Sequence, residues 1–347
     1  MRPYPTCCAL LLIGLAALAG ACRRPVVEKS PPPVTFSGPT MGTWFTVKVV
    51  DPPKHVEPET LEREILDTLA RLEALMSTYD PGSELSRLNR FEGPDWFDVS
   101  PQTAAVVDEA LRIGELTGGA FDVTVAPLVS LWNFGPVKRT NDRVPTDAEI
   151  EALKARVGFR QVEVRRSPPG VRKEREDVSI DLSGIAKGFA VDHLAEHLEH
   201  RGIRDYMVDV GGEVKARGRN PRGKPWQIAV ESPLVSTREI QRVIPLDGLA
   251  VATSGDYRNY FEQDGVRYCH ILDPRSGRPI THKLASVSVL DPSCMRADAL
   301  ATALMVLGPE AGYNFAREHE LAVCFLVNSD TGFVEKTTPP FEQVLKQ

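Results

Sequence analysis

The sequence predicts an α+β fold, with mixed or antiparallel sheets against packed helices. Three observations point there. Strand-like and helix-like periodicities follow one another without regular βαβ alternation. Hydrophobic residues make up 42% and charged residues 25% of the 347 residues, a globular balance that excludes wholesale disorder. The 26 glycines and 28 prolines allow many tight turns and backbone-made sites. The formal net charge of −6 argues against a nucleic-acid binder, which normally carries a basic stripe.

The elements follow in order. GTWFTVKVV (42–50) reads as a strand with Thr43, Phe45, Val47 and Val49 on one face. Leu61, Ile65, Leu69, Leu72 and Met76 recur at helical spacing and predict a helix over 58–77. Ser100-Pro101 opens the next helix and Gly118-Gly119 closes it. The polar stretch 137–149 reads as a surface loop. DVSIDLSG (177–184) reads as a strand feeding the helix KGFAVDHLAEHLEHRG, which stops at Gly202. DYMVDV and EVKARG read as strands joined around Gly211-Gly212. WQIAVE, VIPLDGLAVAT, ASVSVLD and LAVCFLVN supply further strands. The helix MRADALATALMVLG lies between the last two and ends at Gly308-Pro309.

The N-terminus reads as an address. Arg2 precedes an apolar run from about Cys7 to Leu18, shorter than the roughly 20 residues of a membrane span. Ala19, Gly20 and Ala21 then lead into Cys22, which resembles a bacterial lipoprotein cleavage box, although Ala19 stands where such boxes usually carry Leu. Residues 1–21 are thus expected to be a signal peptide and Cys22 a lipid-modified terminus, with plain signal cleavage as the alternative. Residues 22–36 form a Pro-rich tether, and 37–347 the folded domain. Cys269, Cys294 and Cys324 remain. Their odd number and lack of ligand spacing make them buried small residues rather than a zinc site.

No GxGxxG, P-loop or GxSxG is present, which lowers the weight of dehydrogenases, P-loop NTPases and α/β-hydrolases. Subtler candidates remain. Asp298 and Thr302 lie four apart on one helix face, a carboxylate and hydroxyl suited to Mg²⁺. The alternative is an Asp favoured by the helix dipole and a core Thr. In SIDLSGIAKG, Asp181, Ser183 and Gly184 sit at a strand-to-helix junction with Lys187 in the first turn. That suits phosphate or metal contact, or a plain capping turn. His270, before the turn Asp273-Pro274, is either a general base or a structural histidine. VDVGGEV and VATSGDYRNYF carry paired small residues where backbone can approach a ligand, or simply turn. His193, His197 and His200 share a helix with Asp192, Glu196 and Glu199, which reads as a solvated face more than a zinc site.

Eight segments together, from GPTMGTWFTVKV (38–49) through MSTYDPGSELSRLN (76–89), GGAFDVTVAPLVSLWNFGP, IDLSGIAKGFAVDHL, VDVGGEVKARGRN, TSGDYRNYF and HILDPRSGRPI to RADALATAL (296–304), resemble the ApbE-type FAD:protein FMN transferases in order and over nearly the whole mature chain. The resemblance implies two intimately associated α+β lobes. It implies Mg²⁺-dependent transfer of FMN from FAD to a threonine or serine hydroxyl of an acceptor, with release of AMP. Asp298, Thr302 and the Gly184 carbonyl would hold the metal, and His270 would be the general base. Met41 would pack on the flavin. Tyr79, Ala120, Phe121, Asp122, Asp181, Lys187 and backbone near Leu272 would complete the FAD pocket; some relatives carry Glu at Lys187. Acceptors would be subunits of redox-driven ion pumps or other flavoproteins of the bacterial periplasm, reached from a membrane by the lipid on Cys22. A periplasmic FAD pyrophosphatase and a non-catalytic FAD-binding lipoprotein are the alternatives.

Overall fold

The computed structural model describes residues 32–136, 143–231, 240–256, 259–330 and 332–346. Its frame is an antiparallel sheet of eight strands laid side by side in chain order. They are β1 (Val34–Thr40), β2 (Thr43–Val49), β3 (Tyr206–Val210), β4 (Glu213–Arg217), β5 (Leu249–Gly255), β6 (Leu284–Asp291), β7 (Ala322–Ser329) and β8 (Gly332–Thr337). Apart from a short C-terminal helix, the other described elements are inserted between neighbours of this meander. The hairpin turns demand their sequences. Met41-Gly42 and Gly211-Gly212 all have φ between 47° and 99°, the left-handed region that two-residue turns need and that glycine enters freely.

The helices that matter are α1 (Pro58–Met76), α2 (Glu84–Arg90), α3 (Pro101–Leu116), α4 (Ala186–His200) and α5 (Cys294–Glu318). α1 buries the expected stripe of Leu61, Ile65, Leu69, Leu72 and Met76. Its middle packs with α4 against Phe45, Val47, Val49, Val208 and Val210 on one face of the sheet. Truncating a side chain such as Leu69 there would cost about 2–5 kcal/mol. The opposite face is capped by a hairpin, Trp226–Glu231 with Ile240–Leu246, and by the short helix Pro339–Leu345. A smaller three-stranded sheet (Phe97–Asp98, Val162–Arg166, Pro169–Lys173) leans on α3. One continuous core joins Val107 of α3 and Val171 of the small sheet to Leu300 of α5 and Val287 of β6. The small sheet and the large one therefore share this cluster.

Several expectations change. β1 begins at Val34, inside the stretch assigned to the tether (22–36); residues 1–31, with the signal peptide and Cys22, lie outside the described residues. The loop expected over 137–149 already turns helical at Asp147, because Thr146 and Glu149 form a reciprocal capping box. Residues 137–142 of that stretch lie outside the described residues. The helix expected to end at Gly308-Pro309 breaks there, with Gly308 at φ 82°, but resumes to Glu318. Pro309 acts as a first-turn residue of the continuation rather than a terminator. The strand expected over 177–184 does not form. Its backbone runs without a strand neighbour, and Ile180 bonds a side-chain amide instead.

Candidate active site

Loops and helix ends at the tips of the central strands enclose a cleft of about 450 Å³, within the range of cofactor-sized sites. Of the positions singled out in the sequence, Tyr79, Ala120, Phe121, Asp122, Asp181, Gly184, Lys187, His270, Leu272, Asp298 and Thr302 all line it. Met41 does not. It sits in the β1–β2 turn with φ 47°, its N–H 3.4 Å from Glu73 Oε2, and packs with the α1–α4 side of the core. Cys22 lies outside the described residues.

The corner formed by α4 and α5 is the most constrained part. Ser293 caps α5 by accepting from the Arg296 N–H, and Asp192 of α4 accepts from the Met295 N–H at 3.0 Å. One turn in, Asp298 is 3% exposed, and its Oδ2 accepts the Gly188 N–H at 3.0 Å. Thr302, the next turn, has its Oγ1 3.3 Å from Ser254 Oγ on β5. Gly184, leading into α4, lies against it: a Cβ there would be 3.2 Å from Thr302 Oγ1 and 3.1 Å from Phe121 Cε2. The i, i+4 spacing thus delivers Asp298 and Thr302 to one face, beside the turn at Gly184.

Glu213, which the sequence reading left unassigned, completes this corner. It is 2% exposed, and its Oε1 is 2.5 Å from Lys187 Nζ. Its Oε2 is buried with no hydrogen-bond partner among the described residues. Burial pushes the Glu213 carboxyl up to about 8; Lys187 opposes that and Asp298 adds to it. Burial also raises Asp298. Burial would lower Lys187, but Asp298 and Glu213 outweigh it and keep the ammonium charged. Two dry carboxyls share one ammonium, so the corner is short of positive charge only when both are ionised. A carboxylate, a hydroxyl and an orphaned carboxylate oxygen are hard donors that fit Mg²⁺. Strand alternation was the available signal for Glu213: it pairs with buried Val210 and so faces the core.

His270 lines the same cleft. Its Nδ1 is 3.1 Å from the Asn259 carbonyl, which can only accept, so Nδ1 carries the proton and Nε2 keeps a free lone pair. Phe134 meets the ring edge-on at 6.4 Å between centroids. Burial lowers the imidazole's pKa, and Lys187 lowers it further against the Asn259 bond. The ring is therefore neutral at pH 7.

Other residues have local duties. Asp122 is 7% exposed; Oδ1 accepts from Thr124 N–H and Oγ1 at 2.8 and 2.6 Å, and Oδ2 from the Phe159 N–H at 2.8 Å. Its carboxylate is thus engaged in folding the wall. Asp181 Oδ1 accepts the Ser183 N–H at 2.8 Å, the expected capping turn, while the Asp181 N–H donates to Val123. Tyr79 is 68% exposed at the rim. The helical histidines serve elsewhere: His193 stacks on Phe189, and His197 Nε2 is 3.0 Å from Glu64. Cys269, Cys294 and Cys324 are free and buried.

Known proteins resemble the chain as a whole. The sequence profile of the ApbE family matches residues 41–325. The FAD:protein FMN transferase of Vibrio cholerae is 46% identical over 97% of this chain and 98% of its own. That of Haemophilus influenzae is 41% identical over 96% and 98%. Among solved structures, the flavinyl transferase ApbE of Pseudomonas stutzeri superposes with a TM-score of 0.84 at 39% identity, over 92% of this chain and 98% of that one. The flavin transferase ApbE of Vibrio cholerae gives 0.83 at 46% identity, over 90% and 99%. With the profile spanning every cleft-lining residue from Thr78 to Val306 and the relatives matching nearly end to end, the chain belongs to the ApbE family.

Proposed function

We propose that this protein transfers FMN from FAD to a threonine or serine hydroxyl of an acceptor flavoprotein and releases AMP. The observation that carries the reading is the shared cleft. Asp298, Thr302 and Glu213 line it together with a histidine whose Nε2 is open. The relatives' names supply the substrate class.

Residues of this chain divide the work. Asp298, Thr302 and the Gly184 carbonyl would hold Mg²⁺. When bound, Mg²⁺ supplies charge neutralisation at the diphosphate. Lys187, in the first turn of α4, lines the cleft and would bring its ammonium to the diphosphate. His270 Nε2 accepts the acceptor's hydroxyl proton. The alkoxide oxygen bonds to the phosphorus on the FMN side, the bond from that phosphorus to the bridging oxygen breaks, and AMP leaves with that oxygen. Ala120, Phe121 and Leu272 exclude water with apolar surface; each is at most 5% exposed.

Mixing the pure protein with FAD, Mg²⁺ and an acceptor domain tests this. A fluorescent acceptor band in a denaturing gel, with an FMN-sized mass increment on Thr or Ser, is expected. No increment on a competent acceptor overturns it, and free FMN and AMP formed without acceptor would make the protein a pyrophosphatase. The reading extends to a signal peptide over 1–21, a lipid on Cys22 and acceptors in the periplasm, including subunits of redox-driven ion pumps. Mass spectrometry of the membrane-extracted N-terminus checks that part.

A further inference from the structure

α2 belongs to the segment MSTYDPGSELSRLN, yet its helical residues do not line the cleft. It ties two of the cleft's walls together. At its start, Ser83 Oγ donates to the Ser77 carbonyl at 2.6 Å and Ser86 Oγ to the same oxygen at 3.2 Å. The next two residues, Thr78 and Tyr79, line the cleft. At its end, Asn89 Nδ2 donates to the Ile180 carbonyl and Asn89 Oδ1 accepts the Ile180 N–H, both at 2.8 Å. Lys173, 3% exposed, donates from Nζ to the Asn89 carbonyl at 3.0 Å and steadies it from behind.

A primary amide offers a donor and an acceptor in one plane, so it can stand in for a neighbouring strand. Ile180 is fully buried and lacks such a strand; without Asn89 both its backbone groups would be orphaned. The chain then has four residues to reach Gly184, which rests on Thr302. Asp181 is pinned to Val123 on the way. The grip on Ile180 thus sets where this turn meets α5.

We propose that Asn89 is a positioning residue for the cation corner: it fixes the Asp181–Gly184 turn against Asp298 and Thr302, and α2 links that turn to the Tyr79 wall. The inference rests on the Mg²⁺ reading of that corner. Mg²⁺ demands near-ideal octahedral distances, so a displaced ligand turn weakens its binding.

The test is Mg²⁺ titration of FAD binding, followed by flavin fluorescence, for the wild-type protein, Asn89→Ala and Asn89→Asp. Asn89→Asp keeps the acceptor for the Ile180 N–H and loses the donor; it decides alone if Asn89→Ala does not fold. Half-saturating Mg²⁺ should rise about tenfold or more, as for other outer-shell partners of metal ligands. Excess Mg²⁺ should restore FAD binding. A midpoint equal to wild type overturns the proposal, and a lowered Tm with an unmoved midpoint makes Asn89 a structural clamp and also overturns it. A wild-type protein indifferent to Mg²⁺ overturns the cation reading itself and the proposal with it.

Discussion

The backbone N–H of Gly188 on α4 holds the Asp298 carboxylate of α5, at 3.0 Å. The two helices touch here so closely that a Cβ on Gly188 would run into the Cys294 carbonyl and come within 2.8 Å of Asp298 Cβ. The carboxylate's rotamer is therefore a property of the helix contact.

Gly188→Ala tests that contact. Alanine would favour the helix by about 1 kcal/mol. Forcing a methyl against backbone costs about 1–3 kcal/mol, and the carbonyl cannot rotate away as a side chain would. The clash wins. Expected are a lower Tm in thermal unfolding and a higher Mg²⁺ requirement for flavin transfer. An unchanged Mg²⁺ requirement would show that the helices part without moving Asp298.

The pH dependence of turnover should report His270. The base must be neutral, and burial lowers its pKa below the usual 6.5. The rate should rise with pH through an inflection below that value and be flat from there to neutrality. His270→Gln should remove the inflection with most of the activity, about 10²–10⁴-fold for a lost general base. An acid limb that survives the substitution would assign the titration to another group.

How much of this site was legible depends on what each residue does. Asp298, Thr302 and His270 were legible as cleft residues because the local spacing is helical or turn-like and their side chains are polar. Asp122 lines the cleft as expected, but its carboxylate is taken up by Thr124 and Phe159, a partner 37 residues away. The 177–184 segment misleads for a related reason. Its apolar alternation is real, yet a strand is defined by its neighbour, and the neighbour of Ile180 is one asparagine 91 residues earlier. Glu213 hides because burial of a charge is intelligible only beside Lys187 and Asp298. Secondary structure followed local period well for α1, α3 and β2, where one face meets one core. β1 went unrecognised because Gly38 and Pro39 interrupt its pattern, and only pairing to β2 makes it a strand.

Lys187→Met separates the ammonium from the two carboxyls. Removing one partner of a buried pair costs about 3 kcal/mol, the low end because the lysine side chain is 29% exposed. The sign with pH follows from Glu213. Its folded pKa of about 8 lies above the unfolded 4.5, so the stability it supports is full below 4.5 and is lost as pH rises towards 8. Without Lys187 the folded value climbs further. The variant's Tm deficit should be small at pH 5 and large at pH 8, and Glu213→Gln added to it should flatten that slope. Mg²⁺ should raise the variant's Tm more than the wild type's, since a cation replaces the missing charge. Equal Mg²⁺ stabilisation of both would deny that the ammonium and the cation compete for these oxygens.

Asp298→Asn should uncouple stability from activity. The amide oxygen can still accept the Gly188 N–H, so the α4–α5 contact stays made. Burial disfavours the carboxylate at this position, and a neutral side chain removes that penalty. The folded state should thus be as stable as the wild type or more so. Catalysis should fall steeply, because an amide is a poor ligand for a hard divalent cation. Losing several kcal/mol of charge stabilisation at the diphosphate corresponds to a rate loss of about 10²-fold or more. Paired measurements of Tm without Mg²⁺ and of acceptor flavinylation with it give both readouts. A variant with a raised Tm and intact flavinylation would move the cation to other oxygens in the cleft, with Glu213 the first to test.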